Sequence, residues 1–216
     1  MIKVAINGFG RIGRLAFREM ITSKDLDVVA INDLSSSEEL CYLLKYDSNH
    51  RSFHENEISF DDDNLIIAGV KKVKIFSEKD PVNLPWRDLG VDVVLECSGH
   101  FTKVEDANKH IIAGAKSVII SAPCKGDAKT IVYNVNNSTL DGSEQIISAA
   151  SCTTNCLAPV IDVIEKNIGI VCGSMSTIHA YTNDQATLDI THQKGIYARR
   201  GRACAMNIVP ASTGAA

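Results

Sequence analysis

The sequence is short of four things, and each shortage removes a class of function. Positive charge is not in excess: 22 Lys and Arg stand against 26 Asp and Glu, for a net charge of −4, so no broad nucleic-acid-binding surface is expected. No apolar run approaches the roughly 18 residues that mark a membrane span. Met1-Ile2-Lys3 leads straight into a strand-like segment rather than a signal peptide. There is no C-x-x-C pair, and the seven cysteines are odd in number and irregularly spaced. That usage suits a reducing cytoplasm better than a disulfide framework, and with the histidines scattered no metal site is expected. Repeats and low-complexity tracts are also lacking. What remains is 216 residues, 45% of them hydrophobic, enough for one large domain or two small ones with cores of their own.

Periodicity organises most of the chain. Ile2–Asn7, Asp27–Asn32, Val91–Glu96, Ser117–Ala122 and Ile146–Ala149 read as buried strands. Arg14–Thr22, Ser35–Lys45 and Val104–Ala113 read as helices between them, and residues 57–76 as short antiparallel strands around Gly69. Strands alternating with helices predict an α/β fold with a Rossmann-type, doubly wound parallel sheet. A helix is then expected over Cys152–Asn167, an extended run over Gly173–Tyr181, and a stretch without clean periodicity over Thr182–Arg202. The boundary falls near residues 148–151, giving a domain at 1–150 and a second at 151–216. The second has one long strand without obvious partners, and reads as the incomplete start of an α+β domain.

Two motifs carry chemistry. Gly8, Gly10 and Gly13 form G-x-G-x-x-G directly after a strand and open a helix, and Asp33 stands 20 residues past Gly13 at the end of the second strand. In that context the glycines bring backbone N–H groups to a pyrophosphate. Asp33 bonds the ribose hydroxyls and repels a 2′-phosphate, which favours NAD over NADP. The second motif is S-A-A-S-C-T-T-N-C-L-A-P at 148–159. Cys156, one turn into the helix, suits a core position. Cys152 lies among Ser151, Thr153 and Thr154 at a helix start, where N–H groups and the dipole stabilise a thiolate. The candidate base is His179, at the end of the S-T-I-H-A-Y run. A Cys–His pair of this kind also fits an acyltransferase or hydrolase without nicotinamide, and the glycine loop alone fits a module that only binds NAD.

Four runs, N-G-F-G-R-I-G-R at 7–14, A-S-C-T-T-N-C at 150–156, H-A-Y-T-N-D-Q at 179–185 and P-x-S-T-G-A-A at 210–216, together closely resemble the phosphorylating glyceraldehyde-3-phosphate dehydrogenases. The resemblance covers essentially the whole chain. It implies a glycolytic, cytoplasmic homotetramer that oxidises D-glyceraldehyde 3-phosphate with NAD and inorganic phosphate to 1,3-bisphosphoglycerate. Cys152 would form a hemithioacetal and then a thioester, with His179 as base. Asn7, Arg11, Ile12, Lys79 and Ser121 join the glycines and Asp33 as expected cofactor contacts. Thr182 is expected at the substrate phosphate, and Ser151, Thr153, Thr213 and Gly214 at the attacking phosphate. Ala198–Arg202 (A-R-R-G-R) would belong to a loop that packs at subunit interfaces. Erythrose-4-phosphate dehydrogenase, the nearest related family, is the rival reading.

The sequence departs from the family pattern in three places. Ile190-Thr191 stands where NAD-preferring members usually carry Leu-Pro, and the run from His192 to Arg202 is about two residues longer than the common form. The family's catalytic domain also continues for roughly a hundred residues past the position of Ala216. The expectation is therefore a fragment that, made alone, is poorly stable and inactive, with an inactive NAD-binding fragment as an alternative reading.

Overall fold

A computed structural model describes residues 1–68, 71–192, 195, 197–213 and 215. The chain divides into two compact units, Met1–Ser151 and Cys152–Ala216.

The first unit is built on β1 (Ile2–Asn7), α1 (Arg11–Met20), β2 (Leu26–Asn32), α2 (Ser37–Lys45), the short pair β3 (Tyr46–Asp47) and β4 (Arg51–Ser52), β5 (Ile58–Asp61), β6 (Asn64–Ile67) and β7 (Lys71–Phe76). It continues with α3 (Trp86–Leu89), β8 (Val93–Glu96), α4 (Val104–Ile112), β9 (Ser117–Ile120), β10 (Lys129–Thr130) and β11 (Ile146–Ser148). Nine of these strands form one sheet in the order β10-β11-β9-β8-β1-β2-β7-β6-β5. From β10 to β7 every pairing is parallel, and β6 and β5 extend the edge antiparallel. The order β7-β2-β1-β8-β9-β11 is that of a dinucleotide-binding Rossmann sheet, and it reverses between β1 and β8, where such sheets open a crevice.

The core explains why β1 reads as an unbroken apolar run. Val4 and Ile6 pack on one face with Phe17 of α1 and Leu40 and Leu44 of α2. Ala5 packs on the other with Trp86 of α3, Val94 of β8 and Ala107 of α4. Both faces of a doubly wound sheet are covered, so alternate residues are buried in opposite directions. The N-terminal end of α2 is set locally. Ser36 Oγ accepts the Glu39 N–H at 3.3 Å, and Glu39 Oε2 accepts the Ser36 N–H at 3.0 Å, a capping box.

Several expectations are adjusted. Helix α1 begins at Arg11 rather than Arg14, because the third glycine of the motif is already helical. The antiparallel segment turns at Asp62-Asp63, between β5 and β6; Gly69, the expected turn, lies outside the described residues. The β3–β4 hairpin and β10, each two residues per strand, are too short to show periodicity.

Among its described residues, the second unit is α5 (Cys152–Asn167) followed by turns and irregular segments, with a 3-10 turn at Arg199–Gly201. The expected extended run at 173–181 forms no strand among the described residues. A strand needs a neighbour to bond its N–H and C=O groups, and no other strand is described in this unit. Pro159 sits inside α5 and cannot donate to the Asn155 carbonyl. Of the helix only Thr153 is buried, while Val160 and Val163 are 54% and 60% exposed.

The core assignment is testable at Phe17, which is fully buried and meets Phe9 edge-on at 5.5 Å between ring centroids. Phe17→Ala should cost about 3–5 kcal/mol, read as a drop in the urea midpoint of the first unit; a cost within experimental error would contradict this packing.

Candidate functional site

The glycine motif is a close-packed turn. Gly8 has φ +90°, and a Cβ there would come within 2.5 Å of the Ser98 backbone; a Cβ on Gly13 would meet the Gly8 carbonyl oxygen at 2.2 Å. At Gly10 nothing lies within 4 Å of a Cβ. The turn is thus pinned on two sides and open on the third. No side chain caps α1, and no acidic residue lies in its first turn, so no side chain of the helix itself competes with an anion there. Asp33 directly follows β2, beside this turn. Its Oδ2 accepts the Phe9 N–H at 2.7 Å and its Oδ1 accepts the Ser35 N–H at 3.0 Å, which fixes the carboxylate while leaving each oxygen a lone pair. These features fit a dinucleotide with an unphosphorylated ribose.

The other expected cofactor contacts are distributed around this turn. Arg11 reaches sideways and bonds Asp47 Oδ2 at 2.9 Å. Ile12 is exposed at 56%, and Lys79 is exposed just beyond β7. Ser121 follows β9, and its N–H bonds the Glu96 carbonyl at 3.0 Å. Asn7 is 2% exposed; its amide is engaged on both sides, with Glu96 and Asn32, so it faces inward rather than toward the crevice.

The thiol and its base lie in the second unit. Cys152 is the first residue of α5 and is exposed. Its Sγ stands 3.1 Å from His179 Nε2. His179 Nδ1 stands 2.6 Å from the Ala180 carbonyl oxygen. A carbonyl only accepts, so Nδ1 carries the proton and Nε2 is left to face the sulfur. Partial burial pushes the thiol up, but the His179 hydrogen bond and charge, with the Thr153 N–H and hydroxyl, outweigh it and hold Cys152 below an ordinary thiol. His179 is raised, first by its bond to Ala180 and then by Cys152, against burial and the repulsion of Arg200. The thiol and imidazole therefore titrate as one pair biased toward thiolate and imidazolium. Other cysteines go the opposite way: burial pushes Cys97 up to about 11, and burial also raises Cys41 and Cys124.

The expected phosphate contacts are placed unevenly. Thr153 is buried in the first turn of α5, and Ser151 is half-buried at the end of the first unit. Thr182 donates its hydroxyl to Asp184 Oδ1, and Asp184 Oδ2 pairs with Arg200 Nη1 at 2.6 Å. Thr213 accepts the Ala215 N–H at 3.3 Å; Gly214 lies outside the described residues. The basic run is engaged internally. Besides the Arg200–Asp184 pair, Arg202 meets Asp189 at 3.3 Å, and the two arms join through Ala186 N–H to the Arg200 carbonyl and Ile190 N–H to the Gly201 carbonyl. Sequence reasoning missed the Asp184–Arg200 pair and the Ala180 carbonyl. Opposite charges 16 residues apart in an aperiodic stretch gave the first only a faint signal, and a backbone oxygen gives none.

Fold and site together define an NAD-binding α/β protein that also carries an activated thiol–imidazole pair. Residues 2–104 match the family model described as the NAD binding domain of glyceraldehyde 3-phosphate dehydrogenase, and residues 151–216 match the C-terminal domain of the same enzyme. The chain is 58% identical to a glyceraldehyde-3-phosphate dehydrogenase of Clostridium pasteurianum, over all of its own length and 64% of that relative's. The corresponding figures are 57% and 64% for the Clostridium acetobutylicum protein, and 53% and 63% for that of Mycoplasma pneumoniae. The chain belongs to the glyceraldehyde-3-phosphate dehydrogenase family, and it spans about 64% of the length of the curated relatives it matches. No described helix is long and apolar enough to cross a membrane.

Iodoacetamide at neutral pH should label Cys152 ahead of the other six cysteines, with Cys41, Cys97 and Cys124 silent while the protein is folded. Because the Cys152 thiol is lowered, its labelling should persist at pH values where an ordinary thiol is unreactive. His179→Ala removes the foremost lowering influence, so the profile should move to higher pH, with the neutral-pH rate falling about tenfold for each pH unit it moves. Peptide mapping that found Cys97 labelled before Cys152 would contradict this geometry.

Proposed function

We propose that the protein is an NAD-dependent phosphorylating aldehyde dehydrogenase that converts D-glyceraldehyde 3-phosphate and inorganic phosphate to 1,3-bisphosphoglycerate. The observation that carries this reading is the 3.1 Å approach of Cys152 Sγ to His179 Nε2, with Nδ1 committed to Ala180. The Cys152 thiolate adds to the aldehyde carbon and forms a hemithioacetal, whose oxyanion lies at the positive end of the α5 dipole. His179 Nε2 accepts the hydroxyl proton as that carbon is oxidised to a thioester. NAD, when bound, supplies the two-electron acceptor. Phosphate oxygen then attacks the thioester carbon, the C–S bond breaks, and Cys152 leaves as a thiolate stabilised by protonated His179. The thioester retains in an activated acyl group the energy that oxidation through the aldehyde hydrate would lose by yielding the free carboxylic acid.

The residues proposed to hold NAD are Gly8, Gly10, Arg11, Ile12, Gly13, Asp33, Lys79 and Ser121, with the glycine turn for the pyrophosphate and Asp33 for the ribose; Asn7, expected as a direct contact, is instead proposed to support the turn from behind through Glu96 and Asn32. Thr182 is proposed for the substrate phosphate, and Ser151, Thr153, Thr213 and Gly214 for the attacking one; hydroxyls and N–H groups bind phosphate without fixed charge. The resemblance supports residues 1–150 as the NAD-binding domain, 151–216 as catalytic, and a cytoplasmic homotetramer. Within the family, erythrose 4-phosphate is the alternative substrate.

Two measurements on the 216-residue chain separate the classes of function. NAD binding together with fast Cys152 alkylation supports the dehydrogenase. Alkylation without NAD binding supports a nicotinamide-independent acyltransferase, and NAD binding without selective alkylation supports a binding module. Turnover by this chain alone is expected to be absent, because among its described residues beyond Ser151 only Thr153, Ala186, Gly201 and Ala203 are buried; robust NADH production would overturn that expectation. In an active protein carrying this sequence, His179→Ala should lower kcat about 10²–10⁴-fold, the usual range for a lost general base, and an unchanged kcat would remove His179 from the chemistry.

A further inference from the structure

Glu96 ends β8 with its side chain 1% exposed, and among the described residues no lysine or arginine pairs with it. A carboxylate in that position needs hydrogen-bond donors. Its Oε2 accepts from Asn7 Nδ2 at 2.5 Å and meets His110 Nε2 at 3.1 Å. Its Oε1 accepts the Ser98 N–H at 2.7 Å and also the Ser98 hydroxyl. Behind His110, Trp86 Nε1 stands 3.0 Å from His110 Nδ1. An indole N–H only donates, so Nδ1 accepts and the ring proton stands on Nε2, facing Glu96. On the other side, Asn7 Oδ1 accepts from Asn32 Nδ2 at 2.7 Å. Asn32 in turn donates to the Glu78 carbonyl at 2.9 Å and accepts the Glu78 N–H at 2.8 Å. Trp86, His110, Asn7 and Asn32 are all at most 4% exposed.

This chain of bonds crosses the C-terminal ends of β8, β1 and β2 and reaches the turn after β7. Its two grips on the crevice are specific. Ser98 is the residue whose backbone supports Gly8, and Asn7 immediately precedes Gly8. We propose that Glu96 is a positioning residue of the dinucleotide site: holding Ser98 with one oxygen and Asn7 with the other, it sets the spacing between the turn after β8 and the glycine turn after β1. The inference rests on the reading of this unit as NAD-binding and adds the device that keeps its cradle in shape.

Glu96→Gln tests it, because the new amide turns one acceptor into a donor, which must face an N–H of Asn7, His110 or Ser98. Calorimetric titration of the 216-residue chain with NAD should show Kd raised roughly tenfold, the effect of one lost hydrogen bond to a charged group, together with a shift of the His110 ring ¹⁵N signals. Ser98→Ala, which keeps the backbone N–H and loses only the hydroxyl, should fold and weaken NAD binding less, and it decides the matter if Glu96→Gln fails to fold. Val94→Ala, buried in the same strand but outside the network, should lower Tm while changing Kd by less than about twofold. Wild-type affinity in the folded Glu96 and Ser98 variants would overturn the proposal, as would an equal loss of affinity in Val94→Ala at matched stability. No NAD binding by the wild-type chain would remove the cofactor reading and this one with it, whereas wild-type binding that survives Glu96→Gln removes only this one.

Discussion

A backbone laid directly on a backbone governs the first unit. Gly8 rests on Ser98 so closely that a methyl group there would come within 2.5 Å of the Ser98 backbone. Because the strand order reverses between β1 and β8, the chain leaves these two neighbours in opposite directions and opens a crevice above the contact. The contact sets the floor of that crevice. It requires glycine at position 8 both for space and for the φ of +90°. It also forces the polar ends of the two strands into the interior, where Asn7 and Glu96 must satisfy each other. A wholly apolar layer would pack as well at that depth, but it would not fix the relative height of two turns. Directional bonds to Ser98 and Asn7 do.

The cysteines show how much of reactivity is placement. Cys97 follows the same strand end as Glu96, and burial pushes it up to about 11, with only the Ser121 hydrogen bond working the other way. Cys152 also loses some solvation, yet His179 and the Thr153 N–H and hydroxyl reverse the balance. The thiols are chemically identical. One meets a network already satisfied without it; the other opens a helix, where the Thr153 N–H and hydroxyl and the His179 imidazole reach its sulfur. An exposed surface cysteine lacking such partners would be accessible without being activated.

Much of this was legible in the sequence, for identifiable reasons. Both faces of the parallel sheet are buried, so β1, β2, β8 and β9 appear as dense apolar runs, and the capping box at Ser36 and Glu39 marks α2 directly. Cys152, His179 and the glycine turn are visible because few sequences place those residues in that order without need. The buried network was not legible. Glu96 appears as a charge closing a strand and His110 as a polar residue on a helix, and their meeting depends on α4 packing against the sheet. The unformed strand at 173–181 illustrates the opposite error. Its residues favour extended chain, but β structure belongs to pairs of strands, and local propensity cannot supply the second member.

The second unit raises a harder physical question: how a catalytic pair keeps its geometry with so little core beneath it. Only four of its described residues are buried, so packing cannot be what orients His179. The answer is local. Ala180 supplies the oxygen that fixes the imidazole, Thr182 and Gln185 exchange bonds that turn the chain just beyond it, and Asp184 ties Thr182 to Arg200. Within seven residues, H-A-Y-T-N-D-Q therefore encodes the base, the group that orients it and the turn that holds both. Such contacts define direction well but add little stability, since exposed hydrogen bonds and ion pairs exchange readily with water. Orientation and stability are thus separable here. Local bonds carry the first, whereas the second depends on apolar burial, of which α5 shows little: Val160 and Val163 are 54% and 60% exposed.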